Sequence, residues 1–378
     1  MVSHLADSLV ERYAKDATRV LDPFCGSGAV LAAAHGRGIP VSGVDINPLA
    51  ALFTNVKLNG FNKSKAIQLA EEIVDSAKAV RKSWSMGWPA KDYWFTPVTI
   101  EKLERLRAVM RTREMLKTHK GIAVLLSFVL AIRLCSRADQ RSPKPFISKT
   151  ARSIRRGRHF DPFTAMLSLL EDLAELYGHR RKKVDSQFFL ADLAHDSDIS
   201  SRLGLHSHVI TSPPYINAQD YFRNFKLELH VLEGVLPFAV DHVRERFIGT
   251  ERGNLLAGLS PDRLEFNRSI DPAIRRLEQS DPRLAQVVHR YLCDMSTSIE
   301  VMKRCLPKNG RLILVCGDNL VGGLRIRTWK LLRKIIEDHG FALFDMFADR
   351  IQDRLLPPQR SGHKGLIKEE VICAFKRA

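Results

Sequence analysis

Apolar residues follow two rhythms along this chain. Short runs rich in β-branched side chains, residues 19–24 (RVLDPF) and 41–46 (VSGVDI), flank residues 29–35, a good helix former ended by Gly36 and Gly38. Short apolar runs on either side of a helix predict a strand–loop–helix–strand unit, the opening of a doubly wound parallel sheet. Residues 187–190 and 208–211 supply two more strands of suitable length. Residues 311–316 (RLILVC) follow a Pro307–Gly310 turn and read as a buried strand. Residues 342–347 and 371–375 predict an antiparallel edge.

Between these strands the rhythm changes to that of a helix. Ile100, Leu103, Leu106, Val109 and Met110 recur at helical spacing within residues 62–185, and residues 122–132 read as a buried helix. That apolar run is too short to span a membrane, which takes about 20 residues. Residues 234–290 form a second, polar, helical interruption. The expected organisation is a discontinuous sheet domain, 1–61 and 186–378, carrying a basic helical insertion at 62–185 and a second one at 234–290.

Charge adds a partner to this picture. A net charge of +17 and a pI near 9.8 favour a polyanion, most commonly nucleic acid. Residues 141–159 hold Lys144, Lys149, Arg152, Arg155, Arg156 and Arg158 with no acidic residue, and 179–183 read HRRKK. Arg152, Arg155, Arg156, Arg158, Arg180 and Arg181 are therefore candidate phosphate contacts, joined by Arg223 and Lys226 further on. The six cysteines include no CxxC pair, so a zinc knuckle is not expected and a reducing compartment is. The start of the chain is polar and amphipathic rather than continuously apolar, and the expected location is the cytoplasm, at the nucleoid.

Candidate chemistry gathers at the predicted strand ends. The loop Asp22-Pro-Phe-Cys-Gly-Ser-Gly28 lies between the first strand and its helix. Gly26 and Gly28 permit a sharp turn and close approach of a ligand to helix N–H groups. The third glycine of a dinucleotide loop and the lysine of a P-loop are both absent. Asp22 would repel a pyrophosphate but suits a cationic ligand, and S-adenosylmethionine carries an amino group and a sulfonium. Asp45, ending the second strand, is placed to accept from ribose hydroxyls, and Asp192, ending the third, from an adenine amino group. The alternative is a glycine turn with helix-capping aspartates.

The fourth strand ends in Ile210-Thr-Ser-Pro-Pro-Tyr215. Two prolines stop the strand in a rigid extended corner, and Ser212 is pushed to extended geometry by the proline after it. Tyr215 then offers a flat ring to a base that has left its stack. Acceptors on Ser212 and the Pro213 carbonyl suit an exocyclic amine, whose lone pair must be turned out of conjugation before in-line methyl transfer. Cytosine C5 chemistry is not expected, because it needs a nucleophilic cysteine, typically after proline, and no Pro-Cys pair occurs.

Together, DPFCGSG at 22–28, GVDINP at 43–48 and ITSPPY at 210–215 resemble the S-adenosylmethionine-dependent amino-methyltransferases of DNA. The TSPPY form resembles the cytosine-N4 branch, with adenine-N6 as the near alternative. Residues 217–223, 226–229, 247–252 and Gly317-Asp-Asn319 are similar to bacterial DNA methylases of that type. The resemblance touches both ends of the chain and leaves the helical insertions uncovered. It implies an α/β, doubly wound, mainly parallel seven-stranded, Rossmann-like methyltransferase sheet with helical insertions. The implied cofactor set is Asp22, Phe24, Cys25, Gly26, Gly28, Asp45, Ile46 and Asp192, with Ser212, Pro213, Pro214 and Tyr215 catalytic. Double-stranded DNA is the expected partner, and no metal or membrane is. Any restriction endonuclease would be a separate chain. RNA methylation and a DNA-binding protein on a degenerate methyltransferase scaffold are the other readings.

Overall fold

The computed structural model describes residues 1–81, 84–140, 145–147, 160–178, 184–216, 221–251, 260–350 and 369–378. The chain forms two compact units, one of residues 1–47, 184–220 and 244–378, the other of 48–183 and 221–243.

The first unit is built on a sheet. Its strands are β1 (Val20–Asp22), β2 (Val41–Asp45), β3 (Ser186–Leu190), β4 (His208–Thr211), β5 (Arg311–Cys316), β6 (Asn319–Val321), β7 (Leu324–Ile326), β8 (Phe341–Arg350) and β9 (Glu369–Arg377). Seven of them form one sheet in the order β3-β2-β1-β4-β5-β9-β8. Strands β1 to β5 run parallel, and β9 is antiparallel to both β5 and β8. This is the mainly parallel, doubly wound sheet with an antiparallel edge that the apolar pattern predicted. All four residues of β4, and all but Arg311 in β5, are buried, as expected where strands are covered on both faces.

Chain order reverses between β1 and β4. Strands β2 and β3 lie to one side of that pair, β5 and the hairpin to the other. In open α/β sheets such a switch point, at the carboxyl ends of the strands, is where ligands bind. The small β6–β7 hairpin was not anticipated. Its turn is Gly322-Gly323 with φ of 55° and 79°, a two-residue signal that was present in the sequence. Within residues 234–290 the described chain includes the helices Val240–Arg246, Pro261–Ile270 and Ala273–Ser280. The helix that follows, Pro282–Arg304, is capped by Asp281, which accepts from the Leu284 amide.

The described part of the second unit is built on helices, among them Pro48–Asn59, Lys63–Ala79, Lys91–Trp94, Pro97–Met110, His119–Leu134, Pro162–Tyr177, Tyr221–Leu232 and a short 3-10 turn, Met115–Lys117. Asn62, Thr96, Thr118 and Asp161 cap four of them through their side chains, satisfying amides that a helix start leaves open. The helix His119–Leu134 is buried almost all round, and Ile100, Leu103, Leu106, Val109 and Met110 all face the core. That core also takes in Leu49, Leu52 and Val56 at one end of the chain segment and Leu227, Leu229 and Val231 at the other. Those apolar side chains place the division at 47/48 rather than 61/62 and bring 221–243 into the helical unit. Among the described residues, no helix is long and apolar enough to cross a membrane.

Candidate active site

The first strand end is held mainly by its own neighbours. Gly28 starts the helix Ala29–Gly36 with φ 75° and ψ 32°, a left-handed conformation that glycine alone adopts without strain. The Gly28 amide donates to the Cys25 carbonyl at 2.8 Å and the Cys25 amide to the Val44 carbonyl at 3.0 Å. Asp45 receives the Gly26 amide on one oxygen and the Asn47 amide on the other, both at 2.8 Å. Gly43 is required for packing: a Cβ there would lie 2.5 Å from Leu31 Cδ1 and 3.0 Å from Cys25 Sγ. Cys25 is buried in this contact, while Phe24 and Ile46 remain partly open.

Two acidic groups sit in this turn at raised pKa. Burial pushes Asp22 up to about 7, against the lowering effect of hydrogen bonds from the Thr211 hydroxyl and the Phe24 amide. Burial likewise pushes Asp45 up to about 6, against its bonds from Asn47, Gly26 and Ile46. Desolvation of this kind favours the neutral acid until a cation arrives to stabilise the carboxylate. Perturbed acids beside a glycine loop at a switch point make a candidate functional site.

The second strand end lies directly beside the first. Val20 and Leu21 pair with His208 and Val209, and the Thr211 hydroxyl donates to Asp22 Oδ1 at 2.7 Å, with both residues buried. The glycine turn and the double-proline corner therefore share one edge of the sheet and touch through a side-chain hydrogen bond. Ser212 and Pro214 are partly exposed, and Pro213 and Tyr215 are buried.

Tyr215 is 7% exposed, and its hydroxyl donates to the carboxylate of Glu370 on β9. The next carbonyl, of Ile216, accepts from the Asn319 side-chain amide at 3.0 Å, and Asn319 in turn accepts from Thr328 at 2.7 Å. Gly249 packs behind the corner with φ 81°, where a Cβ would stand 3.0 Å from the Tyr215 carbonyl. These contacts bring Gly249 and Asn319 against the proline corner. Residue type alone did not reveal Glu370, which stands in no distinctive local pattern, and Thr211 was quoted within TSPPY without a role of its own.

The third strand end is more crowded. Asp192 is buried, with the Ala194 amide on one oxygen at 3.1 Å and His195 Nδ1 on the other at 3.0 Å. His195 Nε2 faces Asp294 at 3.4 Å, and the hydrogen bonds with Asp192 and Asp294 raise the imidazole to about 9. Arg246 approaches Asp192 at 3.7 Å. Both Asp192 oxygens thus have partners within the protein, as both Asp45 oxygens do.

Of the predicted phosphate contacts, Arg152, Arg155, Arg156, Arg158, Arg180 and Arg181 lie outside the described residues. Arg223 is exposed on the helix Tyr221–Leu232. Lys226, on the same helix, rests over the Trp94 ring at 4.2 Å, a cation–π contact that competes with phosphate for its charge. Among the described residues no group of three or more His, Cys, Asp or Glu is placed to hold a metal ion.

Comparison with known proteins gives a neighbour consistent with this geometry. No protein-family model matches the chain. It is similar to Type II methyltransferase M.AvaI, from Nostoc sp. strain PCC 7120 and from Anabaena variabilis. Identity to each is 24% over an alignment 388 positions long that covers 89% of this chain and 76% of the relative.

Proposed function

We propose that this protein is an S-adenosylmethionine-dependent, site-specific DNA methyltransferase acting on the exocyclic amino group of a flipped base, with cytosine N4 as the target. The observation that carries the reading is the Thr211–Asp22 hydrogen bond, which joins the glycine turn to the double-proline corner at the sheet's switch point. The similarity to a Type II methyltransferase over most of the chain supports the same reaction class.

The residues of the first strand end fit the cofactor. Asp22 is an acid whose pKa burial raises to about 7, so an amino group or sulfonium nearby restores its ionised form and is held by it, while Asp45, at the end of β2, accepts from the ribose hydroxyls. Gly26 and Gly28 keep side chains off the turn, and the partly open Phe24 and Ile46 offer apolar contact. When bound, the cofactor supplies an electrophilic methyl group. On the other side, Ser212 and the Pro213 carbonyl accept the protons of the target amine, turning its lone pair outward. Tyr215 holds the base plane, and the prolines keep these groups in one geometry, so the reaction gains chiefly from positioning. The basic excess of the chain, with Arg223 exposed, supplies attraction to the DNA backbone.

The test is to incubate the protein with labelled cofactor and either plasmid DNA or RNA, then read the modified positions in the plasmid at single-base resolution. The expected result is N4-methylcytosine within one recurring short sequence. N6-methyladenine in such a sequence would keep the reaction and correct the base. Label in RNA alone would replace DNA as substrate, and no label in either would leave a binding protein on a methyltransferase scaffold.

A further inference from the structure

We propose that Glu370 is a positioning residue for methyl transfer, acting through Tyr215; the inference rests on the function proposed above. Tyr215 and Glu370 are 155 residues apart and meet because β9 runs antiparallel to β5, with Cys316 opposite Val371. That register sets Glu370 one residue beyond the carboxyl end of β5, on the sheet edge where the proline corner lies. Phenol donates and carboxylate accepts, so the ring is tied at its far end as well as through the backbone.

The backbone around Tyr215 has its own supports. Asn319 holds the Ile216 carbonyl, and Gly249 packs against the Tyr215 carbonyl. Glu370 acts on the ring itself, at its hydroxyl. A stable fold needs only some acceptor for a buried hydroxyl, and a neutral amide would provide one at lower desolvation cost than a carboxylate.

The carboxylate adds something that stability does not call for. In amine methylation the S–CH3 bond breaks as the N–CH3 bond forms. The sulfonium charge passes to the base nitrogen, which then sheds a proton to solvent. A phenol polarised by a carboxylate presents a more electron-rich ring, and a ring face of that kind favours positive charge beside it. Glu370 thus fixes the ring in place and makes it a better neighbour for the charge that develops on the base.

A double-mutant cycle separates this role from general support. Labelled methyl transfer to duplex DNA, cofactor affinity and melting temperature are measured for wild type, Glu370→Ala, Glu370→Gln, Tyr215→Phe and the Tyr215→Phe/Glu370→Ala pair. Glu370→Ala is expected to lower kcat about tenfold with KM for the cofactor unchanged. Glu370→Gln, which keeps the geometry but not the charge, should recover part of that loss. In the Tyr215→Phe background, Glu370→Ala should cost nothing further, since the hydroxyl it acts through is gone. If wild type transfers methyl groups and the two losses multiply, Glu370 works elsewhere and the inference fails while the function stands. The inference fails equally if Glu370→Gln is no better than Glu370→Ala. If wild type labels no DNA, the proposed function falls and takes this role with it.

Discussion

The glycine turn at 22–28 owes its shape chiefly to near neighbours, whereas the proline corner at 212–215 is held by side chains far away in sequence. In the turn, the Gly26 amide meets a carboxylate 19 residues on, and main-chain bonds to Cys25 and Val44 do much of the rest, while the Thr211 bond to Asp22, across 189 residues, ties the turn to the corner. At the corner, Asn319 reaches back 103 residues and Glu370 155. The difference matches the two tasks proposed. A cofactor site needs small residues that let a ligand approach the backbone, which a glycine turn provides. A site that grips an extruded base needs a rigid ring, and proline geometry alone does not orient a tyrosine side chain.

Crossed substitutions test that contrast most strongly. Tyr215→Ala should cut methyl transfer by about 10²–10³-fold, as expected when a positioning group is lost, while cofactor affinity measured by calorimetry stays within about twofold. Asp45→Ala should do the reverse, weakening cofactor binding by about tenfold or more through loss of the Gly26 and Asn47 bonds. A Tyr215→Ala chain that turns over at the wild-type rate would remove the ring from the mechanism.

Asn319→Ala probes the remote support with a smaller effect. It removes the bonds to Ile216 and Thr328, leaving buried groups unsatisfied, at a cost of about 1–3 kcal/mol in chemical denaturation. Transfer should fall with cofactor affinity intact. A matching drop in cofactor affinity would mean that the two strand ends are not supported separately.

The smallest expected change concerns pH. Asp22 rises from 3.8 to about 7 on folding, so between those values the folded chain keeps a proton that the unfolded chain has released. Its contribution to stability is present below about pH 4 and is lost as pH rises through 7. Asp22→Asn should flatten this part of the profile. Above pH 7 it should stabilise the cofactor-free chain by on the order of 1–3 kcal/mol, read as a higher melting temperature, while cofactor affinity falls. A substitution that gains stability and loses binding is the signature of an acid kept for its ligand.

Much of the sheet was legible from pattern alone, because buried parallel strands need unbroken apolar runs and a glycine turn needs glycine. The helix His119–Leu134 was legible for the same reason, its apolar run being bounded and too short for a membrane. The extent of the helical unit was not. Pro48–Asn59 and Tyr221–Leu232 have apolar faces that suit either unit, and only packing decides which core takes Leu52 or Leu229. The role of Glu370 was hidden, since a single Glu in a strand is common, and TSPPY gave no sign that its Thr211 would bond to Asp22.

By itself, then, the order of residues determined the strand types, the switch from β to helical rhythm, and the two loops that bear candidate chemistry. Only the tertiary structure decided that those loops are adjacent, that Asp22 is tied to Thr211, and that Tyr215 is pinned by Glu370. Local pattern is set by backbone preference and apolar spacing, which operate over a few residues. Adjacency of strand ends and the pKa of a buried acid depend on what distant segments bring alongside, and a linear pattern carries no record of that.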